Sequence, residues 1–377
     1  MTNSKDRYRV GVVFGGRSAE HDVSLRSALT VMGALPAAGH VVVPIGISRN
    51  GVWMTDGDPM GELQATSPLF AFQDGAASRP GQVIDRVEEL AIQSRSEEQH
   101  GVVPAGAWAG DIDVIFPVLH GPMGEDGTVQ GLFELAGLPY VGAGVAASAL
   151  SMDKALSKQV LAREGIPQVP WLTVLRKEWA RFPEQITEDV ERELGFPCFV
   201  KPANLGSSVG VSKAHDASEL PAAMREAARH DRKILIEQFA DARELEVSVL
   251  GNDEPIASVV GEIKPGHEFY DYEAKYVDDT SEIVIPADIP DAVSEEVRHQ
   301  AVRAYRALDC AGMARIDFFL GREDNAVWLN EINTIPGFTA ISMYPMLWEA
   351  SGVPLPELVT RLIGLAIERH DDLHGSD

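Results

Sequence analysis

The chain has 377 residues, 45% of them hydrophobic and 24% charged, proportions that exclude disordered, collagen-like and minimal disulfide-stapled chains. At about 150 residues per domain, this length predicts two or three domains. The 32 Lys and Arg stand against 57 Asp and Glu, a net charge of −25 that repels a phosphate backbone and excludes general nucleic-acid binding.

The chain opens with RVGVVFG (9–15), a short apolar run ending in paired glycines, followed from His21 to Ala38 by apolar residues at helical spacing. A second apolar run, HVVVPIGIS (40–48), completes a β-α-β unit with a right-handed crossover, so the first domain is α/β with a parallel sheet. From about residue 56 to 111 the pattern weakens into an insertion of irregular structure with one short helix. IDVIFPVLHG (112–121) restores a buried strand, and a helix over 129–136, a strand over 139–141 and a domain end near 145 follow.

Residues 150–165 are expected to be helical, and the strands FPCFVKP, GVSKA and KILIEQF surround a further helix at 216–230. That makes residues 146–240 a smaller α+β unit. Residues 241–377 read as a third, mixed unit: antiparallel strands at 244–251, 255–263 and 281–287, a helix through Val293 to Leu308, strands at 314–320 and 326–333, and a frayed HDDLHGSD tail.

The opening MTNSKDRYRV lacks a signal-peptide core, and no run reaches the roughly 20 apolar residues of a spanning helix. The two cysteines, Cys198 and Cys310, have neither disulfide-framework nor zinc spacing. These features predict a reduced, cytoplasmic setting and no membrane partner.

An anionic small molecule would need the few cations gathered at one place. VKPANLGSSVGV (200–211) sets Lys201 before a Gly/Ser loop whose backbone N–H groups can wrap phosphate oxygens, although an ordinary hairpin explains the same residues. No GxxxxGK[ST] occurs, which disfavours P-loop kinases. The turn VGAGVAAS (141–148) satisfies a bare GxGxxA pattern, which tight packing explains as well as a dinucleotide does.

ARIDFFL carries Asp317 on a strand, and NEINTIPGF carries Glu331 and Asn333 two residues apart on another, so both project from one face. Two carboxylates and an amide form a set that suits Mg²⁺ bridging nucleotide phosphates, and Arg315 on the same face could stabilise developing negative charge. A structural salt bridge is the competing explanation. FYDYEAKY (269–276) is either a flap whose Lys275 reaches phosphate or an amphipathic loop. Glu20 lies at a helix N-terminus, free for an amine-bearing ligand or serving as a plain cap, and His120 sits at the carboxyl edge of the parallel sheet, where such sheets bind ligands.

Taken in order, GGRSAEHDVSL, LHGPMGEDGTVQG, MDK, FVKPANLGSSVGV, FYDYEAKY, RIDFFL and NEINTIPGFTAIS resemble the D-alanine–D-alanine ligases of the ATP-grasp superfamily over nearly the whole chain. The resemblance implies a three-domain ATP-grasp architecture with an N-terminal parallel-sheet α/β domain. It implies ATP-dependent ligation of two D-alanines through an acyl phosphate, for cell-wall peptidoglycan, in a homodimer.

By matching motif, the resemblance has Lys154 and Lys201 touching ATP phosphates, Glu237 near adenine and Glu244 at the ribose. Asp317, Glu331 and Asn333 would hold two Mg²⁺ ions, with Mn²⁺ as a substitute. Glu20 would receive the first D-alanine's ammonium near His120, with Ser207 and Tyr276 tying down a lid. Arg315 and the Gly337 N–H would form the oxyanion site, Lys275 would contact the transferring phosphate, and Ser342 with Lys275 would anchor the second D-alanine.

Gln238 departs from the lysine of several relatives, and the insertion has no assigned role. Another ATP-grasp ligase need not keep Glu20, Tyr276 or Ser342; a nucleotide-binding sensor should have lost a metal ligand or Arg315; a nicotinamide-dependent oxidoreductase leaves the C-terminal acids unexplained.

Overall fold

The computed structural model describes residues 7–67, 112–264 and 282–375. The first unit builds β1 (Arg9–Gly15), α1 (His21–Ala37), β2 (Val41–Ile47), β3 (Trp53–Met54), α2 (Pro59–Ala65) and β4 (Val114–Pro117). Its sheet runs β3-β2-β1-β4, with β1 parallel to both β2 and β4 and only β3 antiparallel. The strands lie beneath helices on both faces, which is why β1 after the exposed Arg9, and β4 throughout, are apolar at successive positions instead of alternating. The short helix expected near the insertion is α2, started by Asp58, whose carboxylate accepts from Gly61 N at 3.0 Å; residues 68–111 lie outside the described residues.

Three further helices follow, α3 (Thr128–Ala136), α4 (Val145–Met152) and α5 (Lys154–Arg163). The strand expected at 139–141 is a single bridge, Ile115 to Tyr140. The one helix expected over 150–165 is two, because Asp153 adopts extended dihedrals and its carboxylate caps α5 by accepting from Leu156 N at 3.1 Å.

The GxGxxA turn is explained by packing. A Cβ on Gly312 would stand 3.0 Å from the Gly142 nitrogen, so two backbones meet where neither residue has a side chain, and Gly142 itself holds φ +100°. The dinucleotide reading has no support left.

The central unit contains β5 (Trp171–Leu175), α6 (Arg176–Arg181), α7 (Pro183–Glu193), β6 (Cys198–Pro202), β7 (Ser212–Ala214), α8 (Leu220–His230) and β8 (Lys233–Gln238), in an antiparallel sheet ordered β5-β8-β6-β7. Helix α8 presents Leu220, Ala223, Met224 and Ala227 to that sheet, a helical stripe with polar residues opposite.

The last unit contains β9 (Ala242–Gly251), β10 (Ile256–Lys264), β11 (Glu282–Val284), α9 (Asp291–Ala307), β12 (Gly312–Gly321), β13 (Val327–Asn333), α10 (Met343–Ala350) and α11 (Leu355–His374). Its antiparallel sheet runs β11-β10-β9-β12-β13. One face is closed by α9, with Val297, Ala301, Ala304 and Tyr305 fully buried against the strands.

Helices α10 and α11 share a core with the N-terminal sheet, where Trp348, Leu358 and Leu362 join Phe14, Leu25 and Phe116. Fully burying such side chains contributes roughly 1.5–3 kcal/mol each, so the two ends of the chain are firmly joined. The tail expected to fray is helical through His374. Among the described residues no single helix is long and apolar enough to cross a membrane; α10 and α11 reach that composition only as a pair bent by 106°.

Candidate active site

A cavity of about 680 Å³ opens between the central sheet and the five-stranded sheet. The central sheet contributes Lys201 and Glu237, and the loop after β6 contributes Ser207. From the facing sheet come Glu244, Glu246, Asp317 and Glu331, and Lys154 enters from the start of α5. Phe199, Phe239 and Phe319 add flat apolar walls suited to a planar base.

Cross-strand register explains the acidic side. Glu246 pairs with Asp317, and Asp317 with Glu331, so three carboxylates stand in a row across β9, β12 and β13. Like charges directly opposite one another destabilise a sheet, and cations offset them. Arg315 grips Asp317 with Nε and an Nη at 2.8 Å each, and its Nε lies 3.0 Å from Glu246. Lys154 reaches Glu331 at 3.3 Å and donates to the Leu205 carbonyl at 2.8 Å, tying the Gly/Ser loop to the acids. Burial opposes the charge on Arg315, yet Asp317 and Glu246 hold it firmly protonated.

Asn333 Nδ2 donates to Asp317 at 3.1 Å. As these side chains stand, no group of three His, Cys, Asp or Glu among the described residues is gathered to hold a metal ion. The donor set still fits a divalent cation. Two carboxylates and an amide share one face, and the row carries more negative charge than Arg315 and Lys154 neutralise.

On the opposite wall, Glu237 is ion-paired with Lys201 through one oxygen and with Lys158 at 2.7 Å through the other. Burial disfavours its charge, but the two lysines outweigh that and hold the carboxyl down at about 2. Against the same burial penalty, Glu237 raises Lys201 above its ordinary value.

Glu20 is the N-cap residue of α1 and makes no side-chain cap bond. Its buried carboxylate instead accepts from the Ser207 hydroxyl, 187 residues along the chain. Room for it is made by glycine: a Cβ on Gly121, at φ +77°, would stand 2.5 Å from Glu20 Oε2, and one on Gly206 3.2 Å from it. Ser207 and Ser208 hold φ +51° and +58°, a left-handed loop that costs about 1–2 kcal/mol per residue and aims the hydroxyl at Glu20 at the start of α1. Strain of this kind gathers at binding sites.

His120 is buried, with Nδ1 3.1 Å from the Ile335 carbonyl and Nε2 3.0 Å from Ser27 Oγ. The Ser27 oxygen accepts from Phe338 N at 3.2 Å, so its proton goes to Nε2 and the imidazole proton sits on Nδ1. Burial, helped by the Arg315 charge, pushes the His120 pKa down to about 4. His120 thus anchors the strand-to-loop segment on either side of Gly337. Ser342, at the N-cap of α10, turns its hydroxyl back onto that loop, accepting from Thr339 N at 3.0 Å, and leaves no space for a Cβ at Gly337.

The expected residues Glu20, Ser207, Lys154, Lys201, Glu237, Glu244, Arg315, Asp317, Glu331 and Asn333 therefore line one cavity or pair with groups that do. His120, Gly337 and Ser342 form the adjoining loop support. Lys275 and Tyr276 lie outside the described residues.

Three residues escaped the sequence reading. Glu246 was signalled by the alternation in ELEV, and Lys158 by its place one turn after Lys154 on α5. Glu125, in GPMGEDG, receives the Gly121 N–H at 2.8 Å, and its burial and the charge of Glu20 push it up to about 8.

Family models described as D-ala D-ala ligase N-terminus and D-ala D-ala ligase C-terminus match residues 9–143 and 160–364. The chain belongs to the D-alanine–D-alanine ligase family. It is 50% identical over 371 residues to the D-alanine–D-alanine ligase of Acetivibrio thermocellus, covering 97% of this chain and 98% of that one. It is 48% identical over 362 residues to that of Deinococcus radiodurans, with coverage of 96% and 98%.

Two solved structures are similar. One is the D-alanine-D-alanine ligase from Coxiella burnetii, with a TM-score of 0.77, 34% identity and coverage of 98% and 97%. The other is the VanG D-Ala:D-Ser ligase from Enterococcus faecalis, with a TM-score of 0.76, 34% identity and coverage of 96% and 99%. The architecture is the ATP-grasp fold of this ligase family, as the ordered motifs implied.

Proposed function

We propose that the chain joins two D-alanines to D-alanyl-D-alanine at the expense of ATP, as an ADP-forming ligase that supplies peptidoglycan precursor. The observation that carries this reading is the Glu20–Ser207 pair. It sets a buried carboxylate, suited to one ammonium group, beside a cavity whose other walls carry phosphate-binding lysines and acids.

The carboxylate of the first D-alanine attacks the γ-phosphorus of ATP, releasing ADP and leaving an acyl phosphate. The amine of the second D-alanine then attacks the acyl carbon, a proton leaves the nitrogen, and phosphate departs. Glu20, held by Ser207, fixes the first ammonium so that its carboxylate points toward Arg315. Lys154 and Lys201 bind triphosphate oxygens, with Glu237 at the adenine and Glu244 at the ribose. Phe199, Phe239 and Phe319 supply flat apolar walls for the adenine base.

Asp317, Glu331 and Asn333 would hold two Mg²⁺ ions, for which Mn²⁺ can substitute, and bound metal would neutralise phosphate charge. Arg315 and the Gly337 N–H stabilise the oxyanion formed as the amine adds. His120 keeps the Gly337 loop in place. Lys275 contacts the transferring phosphate, Lys275 and Ser342 anchor the second carboxylate, and Tyr276 completes the lid with Glu20 and Ser207.

The cytoplasm is the proposed compartment, because ATP is the substrate and Cys198 and Cys310 are buried free thiols. A homodimer is proposed from the family likeness, and light scattering tests it. Phosphate release from ATP and Mg²⁺ with D-alanine, L-alanine or neither, with products identified by mass, tests the activity. Release with D-alanine alone and a dipeptide product supports it, and release with L-alanine overturns it. Because one similar structure is a D-Ala:D-Ser ligase, D-serine and D-lactate are offered in competition, and D-alanine is expected to prevail.

A further inference from the structure

Lys158 is only 2% exposed, a position a lysine occupies when its charge is met by a partner. Its ammonium lies 2.7 Å from one oxygen of Glu237 and 5.4 Å from the Trp171 ring centroid. The other oxygen of Glu237 holds Lys201. Lys201 and Glu237 line the cavity, whereas Lys158 is not among the described residues that do. One carboxylate therefore has a cation behind the wall and another facing the cavity.

The asymmetry matters when an anion enters. If Lys201 turns to a phosphate, Glu237 loses half its compensation while staying buried. A lone buried carboxylate is costly enough to hold Lys201 back, and Lys158 removes that obstacle. We propose that Lys158 is a positioning residue for the nucleotide: as the standing counter-charge of Glu237, it leaves Lys201 free to engage the triphosphate. The inference rests on the ATP-binding role proposed above for this cavity, and it separates Lys158 from residues that merely fill the core.

Calorimetric binding of ATP and of adenosine to the full chain, without D-alanine, tests it. In Lys158→Met the locked Lys201 costs one charge-assisted hydrogen bond to phosphate, so ATP binding weakens about 10- to 100-fold while adenosine binding is nearly unchanged. The double variant Lys158→Gln/Glu237→Gln keeps the buried pair polar but neutral and guards against misfolding of the single variant. Adenine is common to both ligands, so neutralising Glu237 affects them equally, and the preference for ATP over adenosine returns to the wild-type ratio.

A folded Lys158→Met that binds ATP normally, or that loses both ligands alike, overturns the proposal. So does a double variant that keeps the triphosphate-selective loss. A wild-type chain that binds no ATP defeats the nucleotide reading and this proposal with it. One that binds ATP but makes no dipeptide defeats the ligase reading alone.

Discussion

Replacing Arg315 by methionine removes the cation that separates two carboxylates in adjacent register positions. With it go the two hydrogen bonds at 2.8 Å to Asp317 and the ion pair at 3.0 Å to Glu246. The side chains left behind are 13% and 7% exposed, so water offers them little relief. Breaking a buried pair costs about 3–5 kcal/mol, and the partial exposure of Asp317 puts the expectation near the lower figure. In a chain of 377 residues that lowers the melting midpoint by roughly 4 °C. Neutralising Glu246 as well, in Glu246→Gln/Arg315→Met, returns most of the loss.

In the proposed mechanism Arg315 also donates to the oxyanion, so the same substitution should lower turnover about 10²- to 10³-fold while ATP binding changes far less. Differential scanning calorimetry, equilibrium ATP binding and phosphate release read the three quantities. A melting midpoint within a degree of wild type would refute the electrostatic account of the acidic row. Equal losses in turnover and ATP binding would make Arg315 a ground-state binder.

Ser207→Ala removes the hydroxyl that fixes Glu20, a charge-assisted bond of about 1.5–3 kcal/mol. The KM for the first D-alanine should rise about tenfold or more, with the KM for ATP little changed; a steady-state series in each substrate checks this. Glu331→Gln should abolish Mg²⁺-dependent turnover without unfolding the protein, and near-normal activity would remove Glu331 from the metal site. His120 binds its proton near pH 4 in the folded chain and near 6.5 when unfolded, so stability falls as pH drops through that window, by about 3 kcal/mol at its foot. Urea unfolding of wild type and His120→Gln should therefore give stabilities that converge between pH 6.5 and pH 4, and a constant gap would contradict the neutral buried imidazole.

What the sequence made legible was local. Alternation in ARIDFFL and WLNEIN put Asp317 and Glu331 on one face, and the structure places them opposite each other. The apolar runs of β1 and β4 read directly as parallel-sheet strands because both their faces are buried. What was not legible depends on chain segments far apart. No spacing rule connects Glu20 with Ser207, and only the ordered motifs of the family suggested it. The packing of α11 against α1 is of the same kind. The GAGVAA turn misleads for a related reason, since the backbone that Gly142 accommodates belongs to Gly312.

An oxygen atom reports whether an acyl phosphate forms. D-Alanine labelled with ¹⁸O in its carboxylate is turned over with ATP and Mg²⁺, and the released phosphate is examined by mass. Attack by the carboxylate on the γ-phosphorus moves one labelled oxygen into the phosphate, so each phosphate released with a dipeptide should carry one ¹⁸O. Dipeptide formed with unlabelled phosphate would contradict that attack.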